Sequence, residues 1–82
     1  MPKIPRDISG KDLVRALGRL GYGVVRQSGS HIRLAAVRKG VLHAMTIPAH
    51  DPIKIGTLNA ILNDLSGRLE ISKEELIARL FG

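Results

Sequence analysis

The sequence predicts an α+β fold in which a helix, three antiparallel strands and a second helix follow one another, with an extra short helix at the C-terminal end. Two observations predict this order. Apolar residues recur at helical spacing towards both ends of the chain. The middle of the chain instead carries short β-branched runs separated by glycine-containing turns. We therefore expect a three-stranded antiparallel sheet with helices on one face.

The first helix is predicted over about residues 10 to 20. Ser9 can cap the early backbone N–H groups of this helix. The Asp12 carboxylate can accept a hydrogen bond from the Ser9 amide in return, or interact favourably with the helix dipole. Gly21 supplies a C-terminal stop. The apolar positions at helical spacing are Leu13, Ala16, Leu17 and Leu20.

Three strands are predicted between Gly21 and Pro48, which lacks a backbone donor and closes the last of them. Two separators with turn chemistry, Ser28–Ser30 and Arg38–Gly40, divide the segment. The apolar runs of the strands are Val24–Val25, Ile32 with Leu34, and Val41–Ile47.

Two further helices are predicted after the strands. The second begins near Lys54, and its apolar stripe is Ile55, Leu58, Ile61, Leu62 and Leu65. The last begins at Ser72, where we expect Glu75 to complete a stricter capping box than the one at Ser9. Its apolar positions are Leu76, Ile77, Leu80 and Phe81.

The length and composition predict one small domain over residues 1–82, with an aliphatic core and no deep cleft. The first two helices have the apolar stripes to cover one face of the sheet together. The opposite face stays open to solvent. Any site should therefore lie on an open surface.

Positive charge is concentrated in one segment. The net charge is +6, and the chain has no Asp or Glu from Leu13 to His50. This segment carries Arg15, Arg19, Arg26, Arg33, Arg38 and Lys39. Such a segment attracts polyanions, RNA among them, although a solvated basic surface would have the same composition.

Other features of the sequence exclude several classes of site. The chain has no cysteine, which rules out disulfides, cysteine-ligated zinc and thiol catalysis. We expect no membrane span, because no apolar run approaches the length that one needs. The N-terminal residues 1–7 lack the apolar centre of a signal peptide, so we expect a cytoplasmic protein.

His31 is the first candidate for chemistry. Neighbouring side chains of a strand point to opposite faces, so His31 and Arg33 should face solvent if Ile32 and Leu34 face the helices. Histidine can accept and donate a proton near neutral pH, and adjacent guanidinium groups can hold a phosphodiester. A solvated histidine at a strand end is the other interpretation.

The residues around His31 suggest how RNA would be held. The backbone N–H groups around Gly29 can approach an anion closely, and the Ser30 hydroxyl can add a hydrogen bond, although the same segment also makes an ordinary hairpin loop. We expect Arg26, Arg33 and Lys39 to hold the RNA strand.

Three more residues, Lys54, His50 and His43, are considered as candidates for the site. Lys54 lies at the start of the second helix, where an ammonium and free N–H groups can bind phosphate, or where it is simply solvated. His50 is a candidate for a second acid or base, and His43 is expected to pack or to form a hydrogen bond at a sheet edge. The spacing of the histidines matches no helical ligand pair, so we expect neither a metal nor a cofactor.

Several short motifs occur together in this sequence. They are Ser9–Leu13, Gly21–Tyr22, Val25–His31, Thr46–His50, and Gly56–Leu58 followed by Ile61–Leu62. In this order, over about residues 8–65, they resemble the HicA family of toxin–antitoxin mRNA interferases. The central Arg-Gln-x-Gly-Ser-His motif is specific only in company with Pro-x-His and Gly-Thr-Leu.

The resemblance implies a fold similar to that of double-stranded RNA-binding domains and a metal-independent endoribonuclease that cleaves mRNA. It assigns catalysis to His31 alone and implies a HicB-like antitoxin as protein partner. The chain departs from the family pattern in two places. Many members have a second histidine where this chain has Ile32, and many end near the second helix, whereas here residues 66–82 form a helical extension.

Two other functions are consistent with the sequence. A noncatalytic RNA-binding module of the same fold would read the shape of RNA with its basic face. A subunit devoted to a protein partner would match its basic surface to an acidic one.

Overall fold

The computed structural model of the chain describes Ile4 and residues 6–82. Its elements are α1 (Gly10–Gly18), β1 (Gly23–Ser28), β2 (His31–Arg38), β3 (Val41–Pro48), α2 (Ile55–Leu69) and α3 (Lys73–Phe81). The predicted α+β fold with an extra C-terminal helix is confirmed, and the arrangement fits that of double-stranded RNA-binding domains. Part of the N-terminal stretch assessed for a signal peptide, residues 1–3 and 5, lies outside the described residues.

The sheet is an antiparallel meander in the order β1-β2-β3. Both hairpins close with two-residue turns, as the glycine-containing separators predict. Lys39 and Gly40 both have positive φ (51° and 77°), the pattern of a type I′ turn, whereas Gly29 has φ 57° at the first position of the other turn. These tight turns set the register of the whole sheet.

The core lies between the sheet and the helices. Burial alternates along β2, where Ile32, Leu34 and Ala36 are buried and His31, Arg33 and Val37 are exposed. The other buried side chains from the strands and helices include Leu13, Leu17, Met45, Ile47, Leu58, Leu62 and Leu65. The predicted partition of β2 into a core face and an open face is therefore confirmed.

The C-terminal helix contributes to the same core. Leu76, Ile77 and Leu80 are buried in one cluster with residues of α1, α2 and the strands. The ammonium of Lys73 also donates a hydrogen bond to the side-chain oxygen of Asn59 on α2. Residues 66–82 thus complete the packing on the helical side of the sheet.

Two local predictions at the helix ends are wrong. α1 ends at Gly18, two residues before the predicted end, because the amides of Arg19, Leu20 and Gly21 donate to carbonyls three residues back and tighten the chain. The fuller capping box is at Ser9, where Ser9 and Asp12 exchange both hydrogen bonds (3.0 and 3.3 Å).

At the start of α3 only one of the two capping bonds forms. Ser72 Oγ accepts from the Glu75 amide at 3.1 Å, while the Glu75 carboxylate lies 3.4 Å from the guanidinium of Arg79. The carboxylate is engaged one turn along the helix and does not reach back to the cap.

Candidate active site on the open sheet face

The sheet register brings five polar side chains together on the open face. Ser28 pairs with His31, and Arg33 pairs with Arg26 on one side and with Thr46 on the other. Cross-strand partners share a face, so all five point away from the core. We call these residues, Arg26, Ser28, His31, Arg33 and Thr46, the polar half of the open face.

The polar half encloses a shallow depression of about 290 Å³. All five of its residues line the depression, and His31 is exposed to solvent within it. Of the described residues that line it, none is acidic. The site therefore offers an imidazole and two guanidinium groups to an anion, without a carboxylate to repel it.

The β1–β2 turn places Arg26 in this site. Pairing is continuous from Ser28, next to the turn, to Arg26, so Arg26 lies opposite Arg33 on the same face as His31. A β-bulge lies on the far side of Arg26, where the register shifts towards Val24. The two-residue turn therefore brings a second guanidinium group into the depression, and the bulge alters only the part of β1 beyond it.

The pairing of Arg26 with Arg33 breaks a local rule of sheet stability. Like charges directly opposite each other on one face are destabilising. The Thr46 hydroxyl accepts a hydrogen bond from Arg33 Nη1 at 3.4 Å, but it carries no charge and so leaves the repulsion in place. An anion held between the two guanidinium groups would relieve this repulsion.

The predicted contributors next to His31 lie around the same end of the sheet. Gly29 and Ser30 form the turn between β1 and β2, and the Ser30 carbonyl accepts from the Ala49 amide at 2.7 Å. His50 follows directly and is exposed, and its carbonyl accepts from the Gly10 amide at 2.8 Å. Gly29, Ser30 and His50 are thus close in the chain or the sheet to His31, but they do not line the depression.

The structure separates two other predicted RNA contacts from His31. Lys39 lies in the turn between β2 and β3, at the opposite end of the sheet. Lys54 precedes α2 and lines a different depression, together with Arg6 and Asp7. Neither lysine shares the depression of His31.

His43 has no place in the site. It lies on the helical side of β3, where it is half-buried, and among the described residues its Nδ1 has no hydrogen-bond partner. The expectation that it packs at the sheet is consistent with this position. The residues that the structure describes contain no group of three or more His, Asp or Glu side chains placed to hold a metal ion.

Sequence reasoning missed two residues of the depression, Ser28 and Thr46. Both follow from the register, because a two-residue turn after Ser28 sets it opposite His31, and the second turn sets Thr46 opposite Arg33. The turn lengths were the signal that could have found them.

One comparison with known proteins matches the chain. The family model described as the HicA toxin of bacterial toxin–antitoxin matches residues 10–66, which include α1, all three strands and every residue of the polar half. No curated protein and no solved structure matches the chain significantly. Across the described residues, no helix is long and apolar enough to span a membrane. Since the family model covers well over half of the sequence, the chain belongs to the HicA toxin family of bacterial toxin–antitoxin pairs.

Proposed function

We propose that this toxin is a metal-independent endoribonuclease that cleaves mRNA with His31 as general base or acid. The observation that carries the proposal is the exposed imidazole beside two guanidinium groups in a depression lined by no acidic residue among those described. RNA suits such a site because its 2′-hydroxyl is a nucleophile next to the phosphorus that it attacks.

The reaction needs two proton transfers and the stabilisation of charge. The 2′-oxygen attacks the phosphorus, its proton leaves, and the bond from phosphorus to the 5′-oxygen breaks as that oxygen takes up a proton. The products are a 2′,3′-cyclic phosphate and a 5′-hydroxyl. The His31 imidazole can take the first proton or, when charged, supply the second.

Arg26 and Arg33 supply the charge stabilisation. The negative charge on the nonbridging oxygens increases as the fifth bond to phosphorus forms, and fixed guanidinium groups stabilise that state more than the ground state. The hydrogen bond to Thr46 holds one of them in place. The Gly29 and Ser30 turn presents backbone N–H groups and a hydroxyl at the same end of the strand.

We assign the remaining predicted residues to lesser roles. His50 is the candidate for the second proton transfer, because its backbone is tied to α1 near the His31 end of the sheet. Lys39 and Lys54 lie outside the depression and would attract the RNA strand on either side of the cleaved bond. We propose a HicB-like protein as the antitoxin and the cytoplasm, where mRNA is translated, as the place of action.

The proposal is tested by incubating purified chain with mRNA in excess EDTA. Wild type should cut the RNA, and the fragments should end in a 2′,3′-cyclic phosphate. His31→Ala should lower the rate by about 10²- to 10⁴-fold, the usual contribution of a positioned acid or base. His43→Gln is the matched control, since His43 lies on the opposite side of the sheet, and it should cut at nearly the wild-type rate.

Three results would overturn the proposal. Equal cleavage by wild type and His31→Ala would remove His31 from the mechanism. Cleavage abolished by EDTA would show that a metal is needed. RNA that is bound by the wild type yet stays intact over long incubation would favour the noncatalytic RNA-binding module.

A further inference from the structure

The open face changes character along the strands. Beyond the pair of Arg33 and Thr46, the next cross-strand pair is Ala35 with Ala44, and the one after it is Val37 with Leu42. Val37 is 69% exposed and Leu42 66% exposed, the highest values among the large apolar side chains of the described residues. We call these four residues, Ala35, Val37, Leu42 and Ala44, the aliphatic half of the open face.

The aliphatic half is unsuited to RNA. Its side chains have no hydrogen-bond donors for phosphates, and they lack the aromatic rings on which single-stranded bases stack. The only aromatic residues of the chain are Tyr22, which is buried, and Phe81, which lies on α3. Covering Val37 and Leu42 releases free energy only when the covering surface is itself apolar, which the side chains of a protein partner offer and RNA does not.

The charge of the neighbouring residues indicates what kind of protein partner fits this surface. Arg33 and Arg26 border the aliphatic half, and Lys39 lies at its outer end. A second copy of this chain would bring an equally basic face against them, because no acidic residue occurs from Leu13 to His50. A partner with both aliphatic side chains and carboxylates complements the whole surface.

We propose that the antitoxin docks on the aliphatic half, with apolar side chains over Val37 and Leu42 and with carboxylates reaching Arg33 and Arg26. This inference rests on the toxin–antitoxin assignment and is independent of how the toxin acts on RNA. Val37 and His31 are six residues apart on one strand, about 20 Å at the usual rise per residue. The apolar anchor of the antitoxin therefore lies outside the catalytic depression, and its carboxylates reach only the two arginines that line the near side of it.

The position of the anchor can be tested with two neighbouring residues of one strand. Leu42 and Val41 are both exposed (66% and 56%), but they point to opposite sides of the sheet. Leu42→Asp puts a charge into the proposed interface. Val41→Asp adds the same charge one residue away on the other side and serves as the matched control. Val37→Asp is a second, independent variant of the interface.

The experiment titrates each purified toxin variant with its cognate antitoxin by calorimetry, and separately measures RNA cleavage without antitoxin. Leu42→Asp and Val37→Asp should each weaken antitoxin binding by about 10- to 100-fold, as expected for a buried aliphatic anchor that is lost. Val41→Asp should bind within about twofold of wild type, since its side chain points to the other side of the sheet from Leu42. All three should melt within a few degrees of wild type and cut RNA at similar rates.

Four other outcomes of this experiment would contradict the inference. Unchanged binding by Leu42→Asp and Val37→Asp would place the antitoxin elsewhere. A loss of binding shared equally by Val41→Asp would indicate a general effect on charge or folding. Slower cleavage by Leu42→Asp with intact antitoxin binding would assign the face to RNA. A wild-type dimer that Leu42→Asp converts to a monomer would assign it to a second copy. If wild type cleaves no RNA at all, the proposed enzymatic function fails, while the binding comparison still decides this inference.

Discussion

The two halves of the open face share β2 and β3, which pair in one continuous register, and they differ in what their side chains can bind. In the polar half, Arg33 pairs with Thr46 and with a second arginine, Arg26. In the aliphatic half, the corresponding pair is Val37 with Leu42. Both pairs lie on the same two strands. Two cross-strand pairs further along, the side chains change from polar to aliphatic, and the anion site gives way to an apolar surface.

The halves also differ in how the rest of the molecule holds them. Near His31 the supports are backbone hydrogen bonds, from the Ala49 amide to the Ser30 carbonyl (2.7 Å) and from the Gly10 amide to the His50 carbonyl (2.8 Å). At the other end of the sheet, the supports are hydrogen bonds donated by arginine side chains. Arg68 donates to the Ala44 carbonyl at 3.0 Å, and Arg38 donates to the Leu20 carbonyl at 3.4 Å.

This difference suits the two proposed tasks. Catalysis requires that groups be held in place before the substrate binds, and backbone contacts fix a strand end more firmly than flexible side chains do. A docking surface tolerates small adjustments of its side chains when a partner binds. The following predictions test whether the halves are separate in this sense.

After His31 itself, the largest effect is expected from an arginine of the polar half. Arg33→Ala should lower the rate of RNA cleavage by about 10²-fold, because it removes one of two fixed charges on the developing phosphorane. Val37→Ala, two pairs further along the same strand, should leave the rate within about twofold of wild type. Single-turnover cleavage assays on both variants would measure this. Equal losses in the two would mean that the RNA site extends over the whole face.

The next effect concerns the support of the His31 end. A Cβ at Gly10 would collide with the Pro48 carbonyl oxygen and lie 2.9 Å from the Ala49 Cα. Gly10→Ala should therefore lower the free energy of unfolding by about 1–3 kcal/mol, the usual cost of overpacking, and slow cleavage as well. Gly67→Ala, which meets nothing within 4 Å, is the control and should be neutral or slightly stabilising. Denaturant melts that rank the two variants the other way would show that the contact does not constrain the strand end.

These predictions depend on features that the sequence shows unequally. The alternation of His31, Ile32, Arg33 and Leu34 reveals the two faces of β2 directly. The same alternation puts Ala35 and Val37 on the open face, but the sequence Ala-Ala-Val gives no sign of how exposed Val37 is.

Other features depend on tertiary structure. The bulge before Arg26 is a one-residue shift between strands, and no local signal in Val24–Arg26 requires it. The position of Lys54 relative to His31 depends on how α2 packs, which charge along the chain does not encode. The predicted turn at Arg38–Gly40, by contrast, already put Lys39 at the far end of the strand that begins at His31. Charge therefore indicated a class of ligand to propose, while the residues that line the depression follow from the register of the sheet.

A smaller effect is expected at Lys39, which lies outside the depression at the opposite end of the sheet. Lys39→Ala should weaken RNA binding by about two- to threefold at low salt and hardly at all above about 0.15 M, where charges further apart than about 8 Å are screened. Arg26→Ala should weaken binding at both salt concentrations, because the proposed mechanism puts its guanidinium group in direct contact with the RNA. Binding isotherms at two ionic strengths distinguish them. If Lys39→Ala weakened RNA binding at both salt concentrations, as expected for Arg26→Ala, the RNA would contact the β2–β3 turn.

The smallest effect is pH-dependent. Hydrogen bonds from Ser9 hold the pKa of the Asp12 carboxyl below its ordinary value, with Arg15 adding to the shift. A lowered pKa in the folded state adds stability above the unfolded pKa of about 4, and this stability is lost as the pH falls through the folded value. Wild type should therefore be slightly more stable than Asp12→Asn at pH 7, and the difference should vanish as the pH falls below about 4. Thermal melts across this range would check it, and a difference that persists at pH 2 would contradict the assignment.

The central claim is that one sheet face carries a catalytic half and a docking half. The most direct test measures cleavage and antitoxin binding for two variants, His31→Ala and Leu42→Asp, on the same protein preparations. We expect His31→Ala to lose cleavage and to keep wild-type affinity for the antitoxin. We expect Leu42→Asp to keep cleavage and to lose affinity. If both variants change the same quantity, the face is a single site and the account is wrong.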